Sequence, residues 1–251
     1  MTRECWRDIR YASFIIVLMI LGNGCNMSDV SGKIWKAIDD DDVTTIEQMS
    51  ENNRAVLSKV GLDGSTPLLY AMSKGRKECF ETLLKCGANP NQTTGRFGKA
   101  ATTFAASHPD VFYLKTTLLY GGDPNLDNKA SPSRRGTPLL YAISEERTEN
   151  VRLLLKSGAD PDMAVGEKQR PLVRAVNSNA FEIVLALIEA GADIQLREKK
   201  FISFAHAMHN KRPEDYTHPP TREACQKVWD KLKEMGVDPE KAHEEGEYFV
   251  W

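Results

Sequence analysis

Thr66-Pro67-Leu68-Leu69-Tyr70-Ala71 returns almost unchanged as Thr137-Pro138-Leu139-Leu140-Tyr141-Ala142. Each copy leads to a second phrase. The first continues to Leu83-Leu84-Lys85-Cys86-Gly87-Ala88-Asn89-Pro90-Asn91, the second to Leu154-Leu155-Lys156-Ser157-Gly158-Ala159-Asp160-Pro161-Asp162. Phrases that recur in register mark a stacked repeat, in which each unit buries its apolar face only against its neighbours. The chemistry of each phrase fits two helices. Thr supplies an oxygen to free amides at a helix start, and Pro at the first helical position lacks an N–H that would have no partner. Gly after the second apolar run ends a helix in the left-handed conformation.

The second phrase is the better ruler. Gly87-Ala88-Asn89-Pro90 is followed by Gly121-Gly122-Asp123-Pro124, Gly158-Ala159-Asp160-Pro161, Gly191-Ala192-Asp193-Ile194 and Gly236-Val237-Asp238-Pro239. The glycine spacings are 34, 37, 33 and 45 residues, so short insertions are expected around Lys129 to Arg135 and Asn210 to Thr221. The first phrase places its packing alanines at Ala71, Ala106, Ala142, Ala175 and Ala207. In the fourth copy of that phrase, Arg170 stands where Thr66 and Thr137 cap the first and third.

These motifs resemble the ankyrin repeat, a unit of about 33 residues made of a turn and two antiparallel helices. The resemblance implies an all-α, ankyrin-repeat solenoid of about five to six helix-turn-helix units with short finger loops. It covers residues 31–240: a cap over 31–60, then units at about 63–95, 97–128, 135–165, 167–198 and 200–240. Residues 241–251 form a C-terminal tail ending Tyr248-Phe249-Val250-Trp251. Within the cap, Asp39 to Asp42 is expected to turn the chain and cap a helix starting near Val43. The run lacks the alternating ligands and turn glycine of a calcium loop.

Residues 1–24 are of another kind. Arg3, Arg7 and Arg10 precede an apolar run from Tyr11 to Leu21. Eleven helical residues span roughly 16 Å, about half a bilayer core, which suits a signal peptide better than a membrane span. The run ends Leu21-Gly22-Asn23-Gly24-Cys25, which resembles a bacterial lipoprotein signal, with residues 25–30 as tether. Gly24 fits that pattern; Gly22 stands where it usually has Leu. Two readings stay open: lipidation of Cys25, with Asn26 directing it to the outer membrane by the family's sorting pattern, or ordinary cleavage near Gly24 with Cys25 free. Translation from Met27 would give a cytosolic form without either.

Composition excludes some functions. A formal net charge of −2 and a pI near 6.2 give no electrostatic case for nucleic acid. With Cys5 and Cys25 set aside, Cys79, Cys86 and Cys225 remain, an odd number that implies no disulfide framework. The chain carries no Gly-x-Ser-x-Gly elbow, P-loop or His-Glu-x-x-His. His206, His209 and His218 lack companion ligands at metal-site spacing, so no metal, cofactor or catalysis is expected.

Ankyrin stacks usually bind through their fingers and the open face of their first helices. The resemblance therefore implies partner-binding residues at Asp63 and Ser65, Arg96 and Phe97, Arg134 and Arg135, Lys168, Gln169 and Arg170, and Lys199, Lys200 and Phe201. Tyr70 and Tyr141 join them from the first helices. Aromatic residues and Arg are the types most often found as binding hot spots.

Stack and leader together resemble ankyrin-repeat lipoproteins that bacteria keep beside secreted antibacterial toxins, notably phospholipase effectors of type VI secretion systems. That resemblance implies an immunity protein of the periplasm, anchored by lipid alone and monomeric apart from its toxin. Two readings stand beside it: a periplasmic scaffold or chaperone for an envelope protein, and a ligand-binding module built around His206 to His218.

Overall fold

A computed structural model describes residues 30–93, 100–127, 136–164, 170–194, 204, 208 and 211–237. The described elements are helical, with no strand among them. They run α1 (Val30–Asp39), α2 (Val43–Asn52), a 3-10 turn (Arg54–Ser58), α3 (Pro67–Ser73), α4 (Lys77–Lys85), α5 (Ala101–Ser107), α6 (Val111–Leu119), α7 (Pro138–Ser144), α8 (Thr148–Lys156), α9 (Pro171–Asn177), α10 (Phe181–Glu189), a 3-10 turn (Pro213–Asp215) and α11 (Pro219–Glu234). Two compact units result, one of residues up to 101 with 119–122, the other of 102–118 with residues from 123 onward.

In the first unit α1 packs on α2 and α3, and α4 packs on α2 and α3. Ile34, Ile38, Ile46, Met72, Phe80 and Leu83 form its core, each at or close to zero exposure. In the second unit α7 packs on α8 and α9, and α10 on α8, α9 and α11. Its interior holds Leu139, Ile143, Leu154, Val176, Leu187 and Val228. Period-3.6 apolar stripes on short helices make this pairing favourable, because a helix of two turns has little stability of its own.

Local capping fixes where the helices start and stop. Thr66 accepts from the Leu69 amide at 3.2 Å, and Thr137 from the Leu140 amide at 3.3 Å. Arg170 has the same extended backbone (φ −85°, ψ 139°) but makes no side-chain cap bond. Asp42 caps α2, accepting from the Thr45 amide at 3.0 Å and the Thr45 hydroxyl at 2.6 Å, and these bonds hold its carboxyl below the usual range. Gly158 ends α8 at φ 87°, where the Ala159 amide returns to the Leu154 carbonyl at 2.9 Å. A Cβ there would meet nothing within 4 Å, so the demand for glycine comes from the backbone.

Inside most hairpins one residue is left-handed: Asp41 (φ 59°), Gly75 (φ 71°), Glu146 (φ 54°) and Asn179 (φ 57°). Its N–H returns to the carbonyl three residues back, at Ile38, Met72, Ile143 and Val176 respectively. The residue after it donates to an alanine carbonyl, at Ala37, Ala71, Ala142 and Ala175. The start of α5 at Ala101 corrects the register read from sequence for that unit. Ala101 matches Pro67, so the packing alanine is Ala105, one residue before Ala106.

The insertion before α11 is tied down where it is described. The Tyr216 hydroxyl donates to Asn179 Oδ1 at 3.0 Å, and its ring lies edge-on to Phe181 with centroids 5.2 Å apart. Trp229 Nε1 donates to the Lys211 carbonyl at 2.9 Å. Burial first, then the nearby Cys225 thiol and the Asp215 carboxylate, pushes the pKa of the Tyr216 hydroxyl up to about 12.

Candidate functional site

The finger between the 3-10 turn and α3 is a closed turn. The Gly61 amide donates to the Ser65 carbonyl at 2.8 Å, and the Gly64 amide to the Gly61 carbonyl at 2.9 Å. Asp63 locks it from within: one carboxylate oxygen accepts the Ser65 amide at 2.9 Å, the other the Ser65 hydroxyl at 2.8 Å. Ser65 is only 8% exposed, so its role is inside the turn. Gly61 lies against Trp35 of α1; a Cβ there would sit 2.9 Å from Asp63 Oδ1 and 3.2 Å from the Trp35 ring. The consequence is at the tip. Leu62 is 86% exposed and Val60 50% exposed, on a loop whose shape is already fixed. A pre-ordered loop loses little entropy when a partner covers it.

Beside the finger, the first-helix face carries an aromatic pair. Tyr70 of α3 meets Trp35 edge-on at 5.2 Å between ring centroids. Its hydroxyl donates to both oxygens of Asp39, at 2.8 and 3.0 Å. Lys74 Nζ lies 5.1 Å from the Tyr70 ring centre and 3.7 Å from Asp39 Oδ1. Arg76 donates to the Asp39 carbonyl at 2.7 Å. Tyr70 and Trp35 both keep part of their surface in solvent. The exposed Val60 and Leu62 thus flank Gly61, which lies against Trp35, and Trp35 in turn meets Tyr70 beside the Lys74–Asp39 ion pair.

In the second unit Tyr141 of α7 takes the same motif slot as Tyr70 and is also partly exposed. Gly136 lies against its ring: a Cβ there would stand 2.8 Å from Tyr141 Cε2. Arg170 sits just before α9 and is partly exposed. Cys25, Arg96, Phe97, Arg134, Arg135, Lys168, Gln169, Lys199, Lys200 and Phe201 lie outside the described residues, as do His206 and His209.

Leu62, Val60 and Trp35 are absent from the set expected from sequence, which took polar, charged and aromatic finger residues together with Tyr70 and Tyr141. The available signal was an apolar residue set between the turn residues Gly61 and Asp63, where water exposure is hard to avoid.

Other chemistry on the described surface is sparse. Cys79 and Cys225 are fully buried, and burial first pushes both thiols up to about 12. The Cys79 thiol donates to Asp41 Oδ1 at 3.1 Å, which raises it further. A thiol so held is a weak nucleophile at neutral pH. No group of three or more His, Cys, Asp or Glu among the described residues is placed to hold a metal. No described helix is long and apolar enough to cross a membrane.

Comparison with known proteins gives a consistent result. Residues 102–198 match ankyrin repeats in three copies and residues 63–95 match a single ankyrin repeat, together more than half of the chain. A putative ankyrin repeat protein of fowlpox virus is 30% identical over 137 residues, 53% of this chain and 18% of that protein. Ankyrin repeat and SOCS box protein 5 of Mus musculus is 34% identical over 125 residues, 50% of this chain and 36% of the mouse protein. The matched part is well under half the length of both relatives. Among solved structures, the ankyrin repeat domain of Bcl-3 has a TM-score of 0.65 at 24% identity, covering 84% of this chain and 88% of that one. An ankyrin repeat domain from Acinetobacter baumannii AYE has a TM-score of 0.62 at 21% identity, covering 77% and 94%. At these identities the likeness to the solved structures is one of fold.

Proposed function

This chain belongs to the ankyrin-repeat family, and on that premise we propose that it is an immunity protein that binds and neutralises a secreted antibacterial phospholipase. Ankyrin repeats make it a protein-binding chain, and proteins of this kind are generally non-enzymatic scaffolds. The finer reading is supported by one observation above others: a repeat stack joined to a leader that ends Leu21-Gly22-Asn23-Gly24-Cys25. A lipidated Cys25 would tether the stack in the periplasm, where a toxin aimed at membrane lipid arrives. Acyl chains alone would hold it there.

In this reading Leu62, Val60, Trp35 and Tyr70 together are an anchor set into the toxin beside its lipid-binding cleft. Desolvating such an anchor supplies affinity, and the fixed finger keeps the ordering cost low. Arg134, Arg135, Lys199 and Lys200 are assigned to the same partner as charged contacts that speed encounter and set orientation. Fold alone does not determine this role. The test begins with the genes that flank this one: a phospholipase encoded there is assayed on phospholipid vesicles with the chain added, and the lack of one counts against the proposal. Inhibition together with co-elution supports the proposal. A lipase that neither binds the chain nor loses activity removes it in favour of a scaffold for an envelope protein.

A further inference from the structure

One hairpin departs from the others. Where Asp41, Gly75, Glu146 and Asn179 are left-handed, the α5–α6 hairpin has Pro109. Proline cannot reach positive φ, and it has no N–H. In the sister hairpins that N–H goes to the carbonyl three residues back, which here is Ala106. The turn is rebuilt from side chains: the Asp110 amide donates to His108 Nδ1 at 3.0 Å, and the Phe112 amide to Asp110 Oδ1 at 2.9 Å.

The missing donor comes from the next repeat. Asn150 of α8, 2% exposed, gives its side-chain amide to the Ala106 carbonyl at 3.0 Å and the His108 carbonyl at 2.8 Å. A longer contact of 3.4 Å reaches Ala105. Arg147 Nε donates to the Ser107 carbonyl at 3.3 Å. In α10 the slot of Asn150 is filled by Ile183, an ordinary apolar core residue.

The α5–α6 pair also carries buried hydroxyls at three places where its neighbours carry leucine. Thr102 and Thr103 stand where α7 has Leu139 and Leu140, and Thr117 where α8 has Leu154. All three threonines are fully buried. The Thr117 hydroxyl donates to the Tyr113 carbonyl at 2.6 Å, while Thr103 Oγ1 has no hydrogen-bond partner among the described residues. Buried hydroxyls in place of leucine forfeit apolar transfer and carry a desolvation cost.

We infer that α5–α6 is the part of the second unit that opens first, and that the Asn150 amide is the latch that keeps it closed. A repeat array permits this, since each helix pair is held only by its neighbours and can open locally. Native-state hydrogen exchange on the whole chain tests it. Amides of α6 exchange at least about ten-fold faster than those of α8. Asn150→Leu, close to Asn in size but without donors, speeds exchange in α5–α6 a further ten-fold or about that, leaving α10 unchanged. Pro109→Gly restores the backbone donor and slows exchange in α6, a readout that stands even if N150L fails to fold. Equal protection of α6 and α8 in the unaltered chain, or an N150L effect spread evenly over the unit, overturns the inference.

Discussion

The Tyr70 hydroxyl donates to the carboxylate of Asp39, 31 residues earlier, at 2.8 and 3.0 Å. This bond ties α3 to the C-terminal end of α1 and holds the Tyr70 ring against Trp35. It also separates two roles that one residue carries. The hydroxyl serves the fold, and the partly exposed ring is the part that the proposed interface would use. Tyr70→Phe removes only the first, at about 1 kcal/mol for an exposed charge-assisted bond, read from urea unfolding. Tyr70→Ala removes both, and is expected to weaken partner binding at least about ten-fold where Tyr70→Phe leaves it nearly unchanged. Equal binding by the two variants excludes the ring from the interface.

Leu62 allows a cleaner separation of binding from stability. It makes the exposed tip of a loop whose bonds run through Gly61, Asp63, Gly64 and Ser65. Leu62→Asp is expected to change unfolding free energy by less than about 0.5 kcal/mol. Partner affinity, measured by calorimetry, falls at least about ten-fold because a charge is pressed into an apolar contact. Wild-type affinity in this variant places the interface elsewhere.

Two helix caps give a stability test with an internal control. Thr66→Ala and Thr137→Ala each remove the acceptor of one amide bond and are expected to cost about 1 kcal/mol in denaturant unfolding. The same change to Ser retains the acceptor and costs much less. Equal losses for Ala and Ser would point to packing of the Thr methyl instead of capping.

The buried thiols predict loss of stability in alkali. Folded Cys79 and Cys225 hold their protons up to about pH 12, whereas unfolded thiols ionise near about 8.5. Their raised values mean the unfolded state releases protons first, so stability is intact below about pH 8 and declines as pH climbs toward 12. A Cys79→Ala, Cys225→Ala chain lacks this part of the decline. Between pH 8 and 10 its unfolding free energy should fall about 1 kcal/mol per thiol less than that of the parent chain, allowing for partial screening. Parallel curves for the two chains would show that the thiols ionise alike folded and unfolded.

What was legible in the sequence was what local chemistry writes into adjacent residues. Thr66-Pro67 and Thr137-Pro138 start helices because a cap needs its oxygen three residues from an amide, and Gly158 ends one because the backbone turns left-handed there. Asp42 was readable for the same reason. The bond from Asp39 to Tyr70 was not, since it depends on two hairpins coming together. The register slipped at Ala106 because Ala101-Thr102-Thr103 lacks the proline that indexes the other copies. Ser65 read as a finger residue, yet its hydroxyl turns inward to Asp63. Leu62 was passed over since an apolar residue in a short loop has no periodic pattern to mark it. Asn150 gave no sign of its task, which arises only because Pro109, 41 residues earlier, withholds a donor.

The most direct measurement tests the proposed partner: vesicle hydrolysis by a phospholipase whose gene flanks that of this chain, with the chain titrated in. The account predicts that activity falls to background at about equimolar chain, and that Leu62→Asp shifts the titration to higher concentration. Full lipase activity in large molar excess of the folded chain would contradict it.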